Sequence, residues 1–284
     1  MVFLETFDIL NAGGYSINNG TFIKLKQDFM IRNTKLFSEK ISASHNNMYS
    51  TIVEVCNEDT FDCAGRMSRE GCVPCVLNMC SDRHAGGTVA WSGKAQEETL
   101  VCRSTLIKSL YKFAKDKDIN VRNLVYYRPN LFDSNYGAIY SPDVSVFRGS
   151  DYSLLDKPFK VAVVSIPAIN NPKKNSIGDL FDTELDVIKN KIRTILNVAI
   201  VNNHSNIVLG AFGCGAYNNP PKLIATLFKD VLQEENYCNA FNKVYFAILG
   251  DENYNVFLRE FFLDKRNNSS SRINVKSGDI NSDK

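Results

Sequence analysis

Apolar and polar positions change period repeatedly along this chain, and the changes mark out alternating strands and helices. Residues 51–56, Thr-Ile-Val-Glu-Val-Cys, alternate as a half-buried strand does, and 74–79, Pro-Cys-Val-Leu-Asn-Met, form a second strand-like run. A helix is predicted from Gln96 to about Phe113, with Leu100, Ile107 and Leu110 on its inner face. Residues 124–127 and 144–147 are shorter strand candidates, while 159–166 are apolar almost throughout, as in a strand covered on both faces. Helical spacing returns at Leu185, Ile188, Ile192, Ile195, Leu196 and Ala199, and the strand-like 206–209 runs into a glycine-rich loop. Pro220 and Pro221 then open a helix bearing Leu223, Leu227, Phe228 and Val231, where proline's fixed φ is tolerated. Residues 243–249 read as another buried strand, followed by a last helix ending near Leu263. Strand and helix in alternation predict an α/β fold with helices on both faces of a central sheet.

The first fifty residues lack that rhythm. They are rich in Asn, Ser and Thr with scattered aromatics; 22–26 alternate as a short strand, and 35–43 read as a helix. We therefore expect an N-terminal accessory extension over 1–50, the main domain over 51–265, and a polar, Ser- and Asn-rich tail over 266–284 that is disordered.

With 284 residues, 44% hydrophobic and 23% charged, the chain can bury a full core. Its 33 basic and 31 acidic residues leave a net charge of +2, too little for a polyanion-attracting field, which argues against direct nucleic-acid binding. No run approaches the roughly 18 apolar residues of a membrane span, and the start, Met-Val-Phe-Leu-Glu, has neither the basic nor the sustained apolar region of a leader. The eight cysteines are accordingly expected to be reduced thiols in a cytoplasmic protein, with a nuclear address open for a eukaryotic or viral source.

Chemistry concentrates in residues 76–111. A strand, a loop around Gly86 and Gly87, and a helix opening on Gln96-Glu97-Glu98 follow one another. Glycines let backbone N–H groups approach a phosphate, helix N-terminal N–H groups favour anions, and a carboxyl in a partly apolar pocket can carry a proton near neutral pH. Such parts suit acid/base chemistry on an anionic sugar-phosphate. Acidic residues in a first helical turn also complement the helix dipole with no catalytic role, so the pattern alone leaves both readings open.

Leu-Asn-Met-Cys-Ser-Asp-Arg-His-Ala-Gly-Gly, then Thr88, seven residues and Gln-Glu-Glu, resembles the signature of the poly(ADP-ribose) glycohydrolases, particularly their microbial-type branch. Gly86 and Gly87 match its first two glycines, Thr88 stands where it has a third, and Ala85 falls where proline is common. Tyr140-Ser-Pro-Asp-Val-Ser-Val-Phe-Arg148 resembles the family's YSPxVxVFR segment, and Gly210-Ala-Phe-Gly-Cys-Gly-Ala-Tyr-Asn-Asn-Pro-Pro221 its second ligand loop. Residues 54–60 are similar to its opening strand and 5–25, more loosely, to its leader, so the likeness runs in order up to about Phe262.

The resemblance implies a macro domain, a three-layer α/β/α sandwich with a mixed central sheet, that needs no metal or other cofactor. It implies hydrolysis of the ribose–ribose O-glycosidic bond of poly(ADP-ribose) carried on modified proteins, with Glu98 as general acid and base and Glu97 holding ribose hydroxyls. By the same resemblance Gly86, Gly87, Thr88 and Gln96 belong to the ligand site, and Asn78 contacts the distal ribose. Gly213, Cys214, Gly215 and Ala216 would cradle the diphosphate, Tyr217 pack on the terminal ribose, and Asp59 hold the adenine amine. Asn78 also reads as a strand-end cap, and Asp59 as the N-cap of a helix over 60–67.

Competing chemistries have weaker footing. The 210–221 loop lacks G-x-G-x-x-G, because Asn218 occupies the third glycine position, and no Gly-Lys-Ser/Thr marks a P-loop. Cys72-Val-Pro-Cys75 is half of a zinc site. Cys214 between glycines could be a nucleophile, with His45, His84 or His204 as base. A threonine in place of the third glycine could crowd the ligand or add a contact, so the alternatives kept are a mono-ADP-ribosyl hydrolase acting on modified protein or nucleic acid, and a reader that binds ADP-ribose without turnover.

Overall fold

The computed structural model describes residues 1–45, 48–132, 135–262 and 274–277. In chain order its elements are α1 (Val2–Ala12), β1 (Gly14–Ser16), β2 (Phe22–Lys24), α2 (Asp28–Asn33), β3 (Lys35–Phe37), β4 (Ile52–Cys56), α3 (Thr60–Arg69), β5 (Cys75–Met79), α4 (Gln96–Arg103), α5 (Leu106–Leu110), β6 (Ala138–Arg148), β7 (Leu154–Ile166), α6 (Asp182–Val201), β8 (Asn206–Leu209), α7 (Pro221–Gln233), β9 (Lys243–Ala247), α8 (Asp251–Phe262) and β10 (Asn274–Ser277). They form two compact units, 1–40 with 64–168 and 41–63 with 169–284. Among the described residues no helix is long and apolar enough to cross a membrane.

In the first unit β5 lies parallel to β7, β7 antiparallel to β6, and β6 antiparallel to β3. The apolar runs explain the layering. Val161, Val163, Val164 and Ile166 of β7 and Val76 and Leu77 of β5 are excluded from solvent, and Leu100, Ile107 and Leu110 are buried as their spacing predicts. The predicted 96–113 helix is interrupted at Ser104, whose extended backbone makes an antiparallel bridge to Val146 of β6, so α4 and α5 are separate.

The first forty residues belong to this unit. Helix α1 ends at Gly13, which takes the left-handed φ of 74° that stops a helix, and the Thr6 hydroxyl donates to the Cys102 carbonyl at 2.6 Å. Arg148, which ends the Tyr140 segment, is buried with its Nε donating to Thr6 Oγ1 at 3.1 Å and its guanidinium 3.1 Å from Glu5. The α1 side chains thus satisfy a cation that the core could not otherwise bury. Residues 35–43, expected to be helical, instead supply β3, because the edge of β6 offers Leu36 a ladder partner in Ile139 and tertiary pairing outweighs local propensity. Residues 124–127 form only two single bridges, through Tyr126 and Tyr127.

In the second unit β10, β4, β9 and β8 lie side by side, all parallel. Helix α6 buries Ile188, Ile192, Ile195, Leu196 and Ala199 of the predicted face and leaves Leu185 half-buried; α7 buries Ile224 fully and Leu223 only in part. Phe228, Phe246, Phe257 and Phe261 pack together with ring centroids 4.9–5.6 Å apart around Phe246. Of the expected tail, residues 274–277 form β10 and the remainder lies outside the described residues.

Candidate functional site

The acidic site is built in the first unit, at the carboxyl end of β5. Met79 finishes the strand, and Gln96, first residue of α4, closes on that end: its Oε1 accepts the Met79 N–H at 2.8 Å and its Nε2 donates to the Leu77 carbonyl at 2.8 Å. The amide thereby copies a neighbouring strand and fixes where α4 begins relative to β5. The two carboxylates that follow are consequently placed by the sheet.

Both are buried, Glu97 at 2% exposure and Glu98 at 6%. Glu97 Oε2 accepts the Ser81 N–H at 2.7 Å; its Oε1 lies 3.3 Å from the Gly86 N–H and 3.5 Å from Asn78 Nδ2. Burial, reinforced by the charge of Glu98, pushes its proton affinity up to about 8 against those donors. Glu98 Oε1 accepts both the Thr88 N–H at 2.8 Å and the Thr88 hydroxyl at 3.0 Å. Its Oε2 is buried and has no hydrogen-bond partner among the described residues.

Gly87 explains the glycine requirement. It sits at φ +62°, and a Cβ there would strike Glu98 Oε1 and come within 3.1 Å of Glu97 Oε2, so the loop can pass between the two carboxyls only without a side chain. At Gly86, with φ +83°, a Cβ would meet Ile107 at 2.7 Å. Asn78 is wholly buried, donates to Ser165 Oγ at 3.0 Å, and keeps an unpartnered Oδ1. The loop's other knot escaped the sequence reading: Ser81 Oγ accepts the Arg83 and His84 N–H groups, each at 3.1 Å, while its own N–H goes to Glu97. A serine just past a strand end is the available signal for such a turn.

In the second unit the 213–217 turn follows β8. Gly213 adopts φ +72° and Asn218 φ +55°. Gly215 and Ala216 are exposed, and Tyr217 is half-buried. The organiser is Asn219, which the sequence reading passed over. It is 2% exposed, and its Nδ2 lies within 2.8 Å of the Ile169 carbonyl, 3.1 Å of Gly213 and 3.3 Å of Tyr217. Its position directly before Pro220 and Pro221, which cannot donate, was the clue. Burial pushes the Cys214 thiol up to about 12, the reverse of what a nucleophile needs. Asp59 caps α3, its Oδ1 accepting the Phe61 and Asp62 N–H groups at 2.8 and 3.2 Å.

A buried carboxyl pair straddling a glycine, at the end of a parallel strand, is an arrangement capable of acid/base chemistry. The family described as microbial-type PARG, catalytic domain, matches residues 4–149, just over half the chain, and the chain belongs to it. Among solved structures, the poly(ADP-ribose) glycohydrolase of Thermomonospora curvata is 28% identical, with 92% of this chain and 98% of that one covered and a TM-score of 0.77. Its complex with the inhibitor ADP-HPD gives 27% identity over the same shares and a TM-score of 0.74. The Deinococcus radiodurans enzyme in complex with ADP-ribose is 26% identical over 83% of this chain and 96% of that one, with a TM-score of 0.67. No curated protein matches. The macro-domain-like α/β fold with a mixed sheet is therefore as the sequence predicted.

Proposed function

We propose that this protein is a poly(ADP-ribose) glycohydrolase that releases ADP-ribose by cleaving the ribose–ribose O-glycosidic bond. One observation carries the mechanism: both Thr88 donors hold Glu98 through Oε1, while Oε2 has no hydrogen-bond partner among the described residues and so is the uncommitted oxygen of the carboxyl. From Oε2 the Glu98 carboxyl protonates the departing ribose oxygen as the C–O bond breaks and the sugar gains oxocarbenium character. Water then attacks the anomeric carbon and gives its proton back to Glu98. Glu97, pushed up to about 8 chiefly by burial, ties the 81–86 loop to α4 and would bond ribose hydroxyls beside Glu98.

The remaining roles are part of the same reading. Gly86 and Gly87 let the loop approach the ligand, Asn78 contacts the distal ribose, and Gly213, Cys214, Gly215 and Ala216 offer backbone N–H groups to the diphosphate, with Tyr217 on the ribose and Asp59 on the adenine amine. Gln96 acts by pinning α4 to β5. Thr88 turns its hydroxyl onto Glu98, which gives the side chain at this position a contact within the site. The substrate is ADP-ribose polymer on modified proteins, met in the cytoplasm.

The test is release of free ADP-ribose from poly(ADP-ribose) by the parent and by Glu98→Gln. Release by the parent alone is expected. Equal release by both would overturn the role of Glu98, and calorimetric binding of ADP-ribose with no release by the parent would make the protein a reader.

A further inference from the structure

We infer that Thr88 is a positioning residue for Glu98: its hydroxyl, beside its own N–H, holds Oε1 and so fixes how the carboxyl is turned. This rests on the reading of Glu98 given above. Two donors of one residue, the N–H at 2.8 Å and Oγ1 at 3.0 Å, converge on Oε1 and none on Oε2. A carboxylate held by a single donor can swing about its terminal bond; a second donor on the same oxygen raises the cost of exchanging the two. A glycine at position 88 would supply the N–H alone.

The surrounding loop is shaped around this hydroxyl. The Thr88 carbonyl accepts the Trp91 N–H at 2.9 Å and the Gly93 N–H at 3.2 Å, so residues 91–93 fold back onto Thr88. At Gly93 a Cβ would strike Thr88 Oγ1 and lie 3.0 Å from Glu98 Oε1. The space a side chain at 93 would fill is thus the space the hydroxyl occupies, and the two positions are coupled: a hydroxyl at 88 requires no side chain at 93. Gly93 has no left-handed φ to justify it, so the contact is the reason for the glycine.

The experiment compares full-length parent, Thr88→Val, Thr88→Ser, Thr88→Gly and Gly93→Ala, together with Glu98→Gln. Valine keeps the branched shape and deletes the hydroxyl. Expected for Thr88→Val is a fall in kcat of about ten- to a hundredfold with KM within about twofold, the loss of a hydrogen bond to a charged group felt at the transition state. Thr88→Ser should recover most of it. Gly93→Ala should lose activity, its methyl meeting both the Thr88 hydroxyl and Glu98. Parent-like kcat in Thr88→Val, or equal losses in Thr88→Val and Thr88→Ser, would each overturn the inference. Should Thr88→Val fail to fold, Thr88→Ser against Thr88→Gly makes the same comparison. Full activity in Glu98→Gln would instead overturn the reading beneath, which separates the two failures.

Discussion

Glu97 and Glu98 are neighbours in sequence, yet their carboxyls are gripped from opposite sides of Gly87, Glu97 by the Ser81 and Gly86 N–H groups and Glu98 by Thr88. Consecutive positions on a helix point about 100° apart, so a loop threaded between them can address each separately. One carboxyl is bonded through both oxygens and the other through one. On the function proposed above, that asymmetry separates a group that orders the site from a group with an oxygen to spend on chemistry.

Removing the spare oxygen's acidity should stop turnover and leave binding. Glu98→Gln retains an acceptor for both Thr88 donors but cannot transfer a proton. We expect kcat to fall by about 10²- to 10⁴-fold, with calorimetric affinity for ADP-ribose within a few-fold of the parent. A comparable collapse of affinity would move Glu98 from chemistry to binding.

Glu97 should make folding stability fall as pH rises. Its ordinary value is 4.5 and its folded value about 8, raised chiefly by burial. Below the lower value the carboxyl is protonated whether folded or not, and stability is unaffected. Between the two the unfolded chain has lost a proton that the folded chain keeps, so stability drops with pH, by at most about 1.4 kcal/mol per unit, and the loss is complete above the upper value. Urea midpoints of the parent should therefore decline from pH 5 to pH 8 more steeply than those of Glu97→Gln. Parallel profiles would show that Glu97 titrates normally.

Gly87→Ala tests the close passage of the loop. The new methyl meets two carboxyls on a backbone at φ +62°, and both the contact and the conformation count against it. A loss of about 1–3 kcal/mol of stability is expected, with activity down by at least the hundredfold that a 1 Å misplacement can cost. Thermal unfolding and initial rates give the two numbers; a parent-like result in both would mean that the loop relaxes freely.

Much of this was legible in the sequence because spacing carries it. The period of β7 and α6, the Gly86–Gly87 pair and the Gln-Glu-Glu opening α4 all stand where their pattern put them. What escaped were partners rather than elements. Which oxygen of Glu98 Thr88 would take, that Gln96 would spend its amide on Leu77 and Met79, and that Asn219 would tie Gly213 to Ile169 depend on contacts between residues 6 to 50 positions apart. Residues 35–43 failed for the same reason, since the partner of Leu36 is Ile139. Local pattern sets the element, and distant neighbours decide its edge.

Asn219 offers the sharpest test of the second unit. Its side-chain N–H group faces the carbonyls of Ile169, Gly213 and Tyr217 from a buried position, so it fixes the turn that presents Gly215 and Ala216. Asn219→Asp keeps the shape and replaces the donor with an acceptor, leaving carbonyls without their N–H and placing an anion against them; a buried group stripped of its partner costs about 1–3 kcal/mol. If the turn binds a diphosphate, a loosened and more negative turn should weaken ADP-ribose by tenfold or more while lowering affinity for ribose alone far less. Asn219→Ala should fall between parent and Asn219→Asp, since it removes the donor without adding charge. Unchanged ADP-ribose affinity in a folded Asn219→Asp variant would detach the 213–217 turn from the ligand and leave Asn219 a purely structural tie.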